Sequence, residues 1–147
     1  MSIENAIPEQ LKPPAGLRLI LRVHARGDQI YVCKAEGAGF SWMLQAPEAE
    51  VFDEGRPIGR HFAGPTWELN DGSRVTGKIL TRAESPDIHA IPWLLISAVD
   101  HSGEGLLNGV THIQRLNTTG GKAPEKCRDE GRELRVGYTA DYIFYGE

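Results

Sequence analysis

His61 and Glu68 stand on either side of a Gly64-Pro65 break and just before an Asp71-Gly72-Ser73 turn. One hairpin-sized segment, residues 59–73, thus carries an imidazole, a carboxylate and the indole of Trp67. Turn residues fix the backbone there, and a fixed backbone is what holds chemically capable side chains in place. A His beside a carboxylate serves either as a general acid/base pair or as two ligands to a metal. The same His also has a plainer use, tying down the backbone of a tight turn, and spacing alone does not choose between them. The expectation is that His61 and Glu68 share one cleft as catalytic or ligand-handling groups.

The other residues capable of chemistry are scattered. The five histidines, His24, His61, His89, His101 and His112, never pair as His-x-His or His-x-x-x-His. A metal site would have to be assembled across strands from His61, His112 and Glu68 or Asp141. Scattered histidines more commonly sit on the surface or in polar networks, so no metal is assigned. Trp42, Trp67, Trp93, Tyr31, Tyr138, Tyr142 and Tyr145 either line an apolar pocket or fill an ordinary core. Of these and their polar neighbours, Trp67, Tyr31, His112 and Asp141 are taken as ligand-binding candidates. Ser97 and Ser102 lack the Gly-x-Ser-x-Gly elbow of a serine hydrolase. Residues 118–122 share only composition with a phosphate loop, and no Gly-x-Gly-x-x-Gly is present, so no cofactor is implied.

Charge and composition limit the partners. The 147 residues carry a net charge of −4, which argues against non-specific binding to nucleic acid or to an anionic membrane. Arg18, Arg22, His24 and Arg26 form a basic edge, suited to an anion or to a solvated strand face that discourages edge pairing. No apolar run approaches the roughly 18 residues of a membrane-spanning helix. The best, residues 91–99, is only strand-length. Residues 1–5 lack a basic stretch followed by an apolar one, so no signal peptide is expected.

The elements that must position these residues are strands. Residues 1–16 read as a proline-containing arm, with Pro8, Pro13 and Pro14 opposing helix. Leu17, Leu19, Leu21 and Val23 then alternate with Arg18, Ile20, Arg22 and His24, the period of a half-wet strand. Turns are expected at Gly27-Asp28, Gly37-Ala38-Gly39, Asp53-Glu54-Gly55 and Asn70-Asp71-Gly72-Ser73. Strands are expected between them and at residues 93–99, 110–116 and 136–145. Residues 93–99 look buried on both faces. Helix is limited to one possible turn at residues 47–51 and a short piece at 123–132, where a loop fits equally well. The chain therefore reads as a mainly β, single-domain protein over residues 17–147. It should be an antiparallel β-barrel or a two-sheet β-sandwich of about ten short strands.

Several segments together resemble a known family. They are residues 27–33 (Gly27-Asp28-Gln29-Ile30-Tyr31-Val32-Cys33), residues 42–49 around Trp42 and Pro47, and residues 59–68 with Asp71-Gly72-Ser73. The distal set is residues 90–95, Ile113-Gln114-Arg115, residues 118–121, Cys127 and residues 138–142. Over residues 17–145 the chain is similar to a bacterial and fungal family catalogued as domain of unknown function 3455. Cys33 and Cys127, from sequence alone, are either two lone thiols or one disulfide. Members of the family often look secreted, and this resemblance implies the disulfide. It also implies a secreted or periplasmic location, against a cytoplasmic one if the chain is a complete unprocessed product.

Two functions of different class follow. The first is a β module that binds a small molecule, a glycan or a partner protein. The second is a small barrel enzyme, a lyase, isomerase or hydrolase, with His61 and Glu68 as an acid/base pair in an aromatic pocket. Convergence or separation of those two side chains decides between them.

Overall fold

Two of the expected breaks, at Gly27-Asp28 and at residues 47–51, are continuous strand, so eight strands form in place of the ten expected. They are β1 (Arg18–Glu36), β2 (Gly39–Asp53), β3 (Arg56–Phe62), β4 (Thr66–Leu69), β5 (Arg74–Ala83), β6 (Trp93–Ser102), β7 (Val110–Gly120) and β8 (Glu133–Gly146). The computed structural model describes residues 7–147, so residues 1–6 of the arm lie outside the described residues. Gly27-Asp28 is no turn. Gly27 sits inside β1, paired with Ala49 on one side and Tyr138 on the other. A Cβ at Gly27 would run into the Glu48 carbonyl and lie 2.5 Å from Ala49 Cα. The glycine therefore permits close approach of two backbones rather than a reversal of the chain. Residues 47–51 are likewise strand, part of β2, and residues 123–132 are loop.

Each strand pairs antiparallel with the next, and β8 returns to pair with β1, so the sheet closes as a barrel. Closure decides between the two architectures left open by the sequence. It also removes every edge strand. The interior is filled by alternate side chains, among them Val23, Ala25, Val51, Trp67, Val75, Ile96, Ile113, Tyr142 and Phe144. A bulge between Leu19 and Leu21 shifts the parity of β1. Leu19 is thereby turned out to solvent, while Ile20 packs against the core, the reverse of simple alternation.

One end of the barrel is plugged. The β6–β7 connection forms a 3-10 turn, Leu106–Gly109, that drives Leu107 into the core. The Asp71 carboxylate holds this plug, accepting from the Leu106 N–H at 2.9 Å, the Ser73 N–H at 2.8 Å and the Ser73 hydroxyl at 2.7 Å. Ser73 Oγ in turn accepts from the Leu107 N–H at 3.2 Å. The Asp-Gly hairpin thus makes the β4–β5 turn and anchors the cap over the lumen.

The arm explains the two-sided burial of β6. Its described part carries a 3-10 turn, Glu9–Leu11, and lies on the outer face of the sheet. Leu11 is fully buried there with Trp93, Leu95, Leu116 and Ile143. Gln114 fixes it by donating to the Leu11 carbonyl at 2.9 Å. Burial stops where the arm stops covering, so Val99 is exposed. At the opposite end from the plug, Cys33 and Cys127 form a disulfide with Cα atoms 5.9 Å apart, tying β1 to the β7–β8 loop.

Two outcomes are expected. Leu11→Ala and Leu95→Ala should each lower stability by about 2–5 kcal/mol in chemical denaturation, because each opens the same outer cluster. A loss below about 0.5 kcal/mol for Leu11→Ala would mean the arm contributes no packing. Reduction of the disulfide, which closes a 94-residue separation, should lower stability by up to about 4.7 kcal/mol, read as a fall in thermal midpoint with reductant.

Candidate functional site

Ladder register decides which candidates meet, because residues paired across a ladder share a face. His61 pairs with Ala49 on one side and Trp67 on the other, and all three face the lumen. Arg60 pairs with Glu68, and Glu68 with Arg74, on the outer face. His61 and Glu68 therefore do not share a cleft. Glu68 sits one position from the residue that faces His61, and one position in a strand is the difference between inside and outside.

Glu68 is engaged where it stands. Its Oε2 accepts from Arg74 at 2.8 Å, and its Oε1 accepts from Arg60 at 3.0 and 2.9 Å. Arg74 first and Arg60 second hold the carboxyl below its ordinary range. Both guanidinium groups also lie over the Phe62 ring, 5.5 and 5.1 Å from its centroid.

His61 is only 3% exposed. Its Nδ1 lies 2.9 Å from the Thr66 carbonyl oxygen. A carbonyl only accepts, so Nδ1 carries the proton and Nε2 keeps its lone pair. This bond spans the Gly64-Pro65 turn, where a Cβ on Gly64 would strike Thr66 Oγ1. The ring stacks on Trp67 with centroids 4.4 Å apart and packs tilted against Tyr142 at 5.0 Å. Burial pushes the imidazole down to about 3; the Thr66 hydrogen bond opposes this and the Arg115 charge adds to it. His61 is neutral across the ordinary pH range.

The His61–Trp67 stack walls a cavity of about 210 Å3 at the mouth of the barrel, the end opposite the Leu107 plug. All eight strands reach it. Gln29 comes from β1, Pro47 from β2, His61 from β3 and Trp67 from β4. Ile79 comes from β5, Leu94 and Ile96 from β6, Arg115 from β7 and Tyr142 from β8. Two polar atoms on its lining, Gln29 Oε1 and Trp67 Nε1, are buried without a hydrogen-bond partner among the described residues. Trp93 Nε1 is a third such atom, but Trp93 belongs to the outer cluster under the arm. Arg115 pairs in the ladder with Leu94 and Tyr142 and so faces the lumen. Its Nε and Nη2 donate to the Pro92 carbonyl at 3.0 and 2.8 Å.

The remaining sequence candidates lie elsewhere. Tyr31 donates its hydroxyl to the Gly121 carbonyl and so pins the rim loop. His112 is on the outer face, where its Nδ1 lies 3.0 Å from Thr111 Oγ1. Asp141 is also outside, taking Arg22 at 3.2 Å, His24 at 3.0 Å and Asn117 at 2.8 Å. The basic edge read from the sequence is thus partly neutralised by Asp141. A broader groove of about 690 Å3 runs over that edge on the outer face, between β1 and the β2–β3 turn. Among the described residues no group of three or more His, Cys, Asp and Glu side chains is placed to hold a metal.

Gln29 and Arg115 are the site residues that sequence reasoning missed. Their signal was parity. Gln29 continues the inward row of Val23 and Ala25, and Arg115 follows Ile113 by one strand period. A polar residue on the dry row of a strand marks a site more sharply than a His near a turn.

Residues 13–146 match the family described as Protein of unknown function (DUF3455), the one the sequence resembles. No curated protein and no solved structure matches the chain.

Burial of His61 makes stability depend on acid. The folded imidazole titrates near 3 and the unfolded one at 6.5, so between those values the unfolded chain binds more protons. The contribution is fully present above pH 6.5 and is lost as pH falls, at up to about 1.4 kcal/mol per unit. His112, also lowered by burial, adds to the slope in the same direction. Denaturation of wild type and His61→Phe between pH 6.5 and 5 should separate the two. The variant is expected to lose most of the slope; parallel profiles would show that His61 charges freely in the folded state.

Proposed function

We propose that the chain, which belongs to the DUF3455 family, binds a small molecule in the mouth of its barrel. The observation that carries this reading is the pair of buried, unpartnered polar atoms, Gln29 Oε1 and Trp67 Nε1, on one aromatic-walled cavity. Each buried group left unpaired costs about 1–3 kcal/mol, and folded proteins keep few of them. Apolar walls with a few convergent polar atoms are the composition of a ligand site. The cavity is smaller than the roughly 300–1,000 Å3 of a drug-sized pocket. Its ligand is therefore compact, or extends past Leu44 and Ile79, both exposed at the rim. A glycan, rich in hydroxyls, would find too few partners on these walls.

The acid/base enzyme reading loses its basis in the same geometry. Glu68 faces solvent, and His61 alone is too weakly basic to take a proton near neutral pH.

Saturation-transfer NMR of the full chain against a fragment library tests the proposal. Bound fragments should be lost in Gln29→Met, while the thermal midpoint of that variant holds or rises, because an unpaired polar group has been removed. Glu68→Gln should leave fragment binding unchanged. Binding that survives Gln29→Met, or a drop in stability typical of a core residue, would place Gln29 in a structural role and end this reading.

A further inference from the structure

Resting on the reading of the cavity as a ligand site, we propose that its ligand is a small organic carboxylate whose anionic group is received by Arg115. Arg115 has five N–H groups. Two go to the Pro92 carbonyl, through Nε and Nη2, leaving Nη1 and the second Nη2 hydrogen for another acceptor. No carboxylate among the described residues pairs with it, and no Asp or Glu lines the cavity. Exposed arginines such as Arg26 and Arg56 go unpaired at little cost because water solvates them. Arg115 is half-buried against Leu94 and Tyr142, where an uncompensated cation is expensive. Elsewhere Arg22, Arg60, Arg74 and Arg135 have carboxylate partners even in solvent.

The chemistry selects a monoanion. A planar carboxylate matches the guanidinium fork, whereas a phosphate dianion calls for a second cation. None is present: His61, the other basic residue on the lining, is held neutral by burial. The unpaired Trp67 N–H supplies a further donor, and the unpaired Gln29 Oε1 calls for a hydroxyl or N–H donor elsewhere on the ligand. The apolar body of the ligand lies against the Trp67 and Tyr142 rings and leaves toward Leu44 and Ile79. The charge of the ligand sits beside the Pro92 carbonyl, where the Arg115 guanidinium is anchored.

Matched probes test the charge. Benzoate against benzamide, and hexanoate against hexanamide, differ in charge at nearly constant shape. Titrated into the full chain, each acid should bind at least about tenfold tighter than its amide, the size of one charge-assisted hydrogen bond. Arg115→Met should bring the pairs within about twofold, and Arg26→Met should leave the preference intact. Should Arg115→Met fail to fold, Arg115→Lys serves instead, with the preference reduced but retained. Equal affinity of acid and amide, a preference that survives Arg115→Met, or tighter binding of inorganic phosphate would overturn the carboxylate assignment. The cavity reading would stand in those cases if Gln29→Met still removed binding. No binding by any of the four compounds also overturns the assignment. The cavity reading falls with it only when uncharged fragments fail as well.

Discussion

The ladder between β1 and β8 turns a meander of hairpins into a ring, and that closure sets the terms for every other feature. Once the sheet has no edge, each strand has one face in the lumen and one outside, and parity along the strand assigns every side chain. An eight-stranded ring encloses a space that side chains can just fill. Here the filling is uneven. The β6–β7 turn presses Leu107 into one end, and a His61–Trp67–Tyr142–Phe144 aromatic cluster occupies the middle. The other end is left as a cavity whose walls come from all eight strands.

Rigidity of that cavity follows from how its rings are held. Trp67 meets Tyr142 and Phe144 edge-on at 5.3 and 5.9 Å and lies flat on His61. Edge and stacked contacts of this kind add to the area the rings bury. Gly77 lets the packing close, since a Cβ there would collide with Ile96 and approach the Trp67 ring. The Trp67 N–H facing the cavity thus projects from a fixed floor.

How much of this was readable in the chain depended on whether a signal was local. The β class and the Asp71-Gly72 hairpin are local patterns, and they hold. The disulfide came through resemblance and is present. The number of strands was not local. Gly27 looks like a turn residue, and only the approach of β2 shows why glycine is needed there. Nor was the His61–Glu68 relation local: it hinged on a register in which Trp67, not Glu68, stands opposite the imidazole. The plainer use of His61, fixing the turn through Thr66, was visible in the segment and is what the hydrogen bond records. Leu11 gave no pattern at all, because its partners are brought beneath it by β6, β7 and β8.

The seam of the ring has a direction. Seven of the eight strand neighbours are joined by chain, while β1 and β8 are joined sideways by their ladder. Arg18 stands opposite Gly146 at the plugged end of this seam, and Val32 stands opposite Glu133 at the mouth. Just beyond, Cys33 is stitched to Cys127 in the loop that leads into β8, and the Cys33 backbone bonds Gly131 and Arg132. A zipper with one end sewn shut opens only from the other. Load or thermal fraying along the seam must then start at the plug and travel toward the mouth, so the mouth is the last part of the ring to lose its shape.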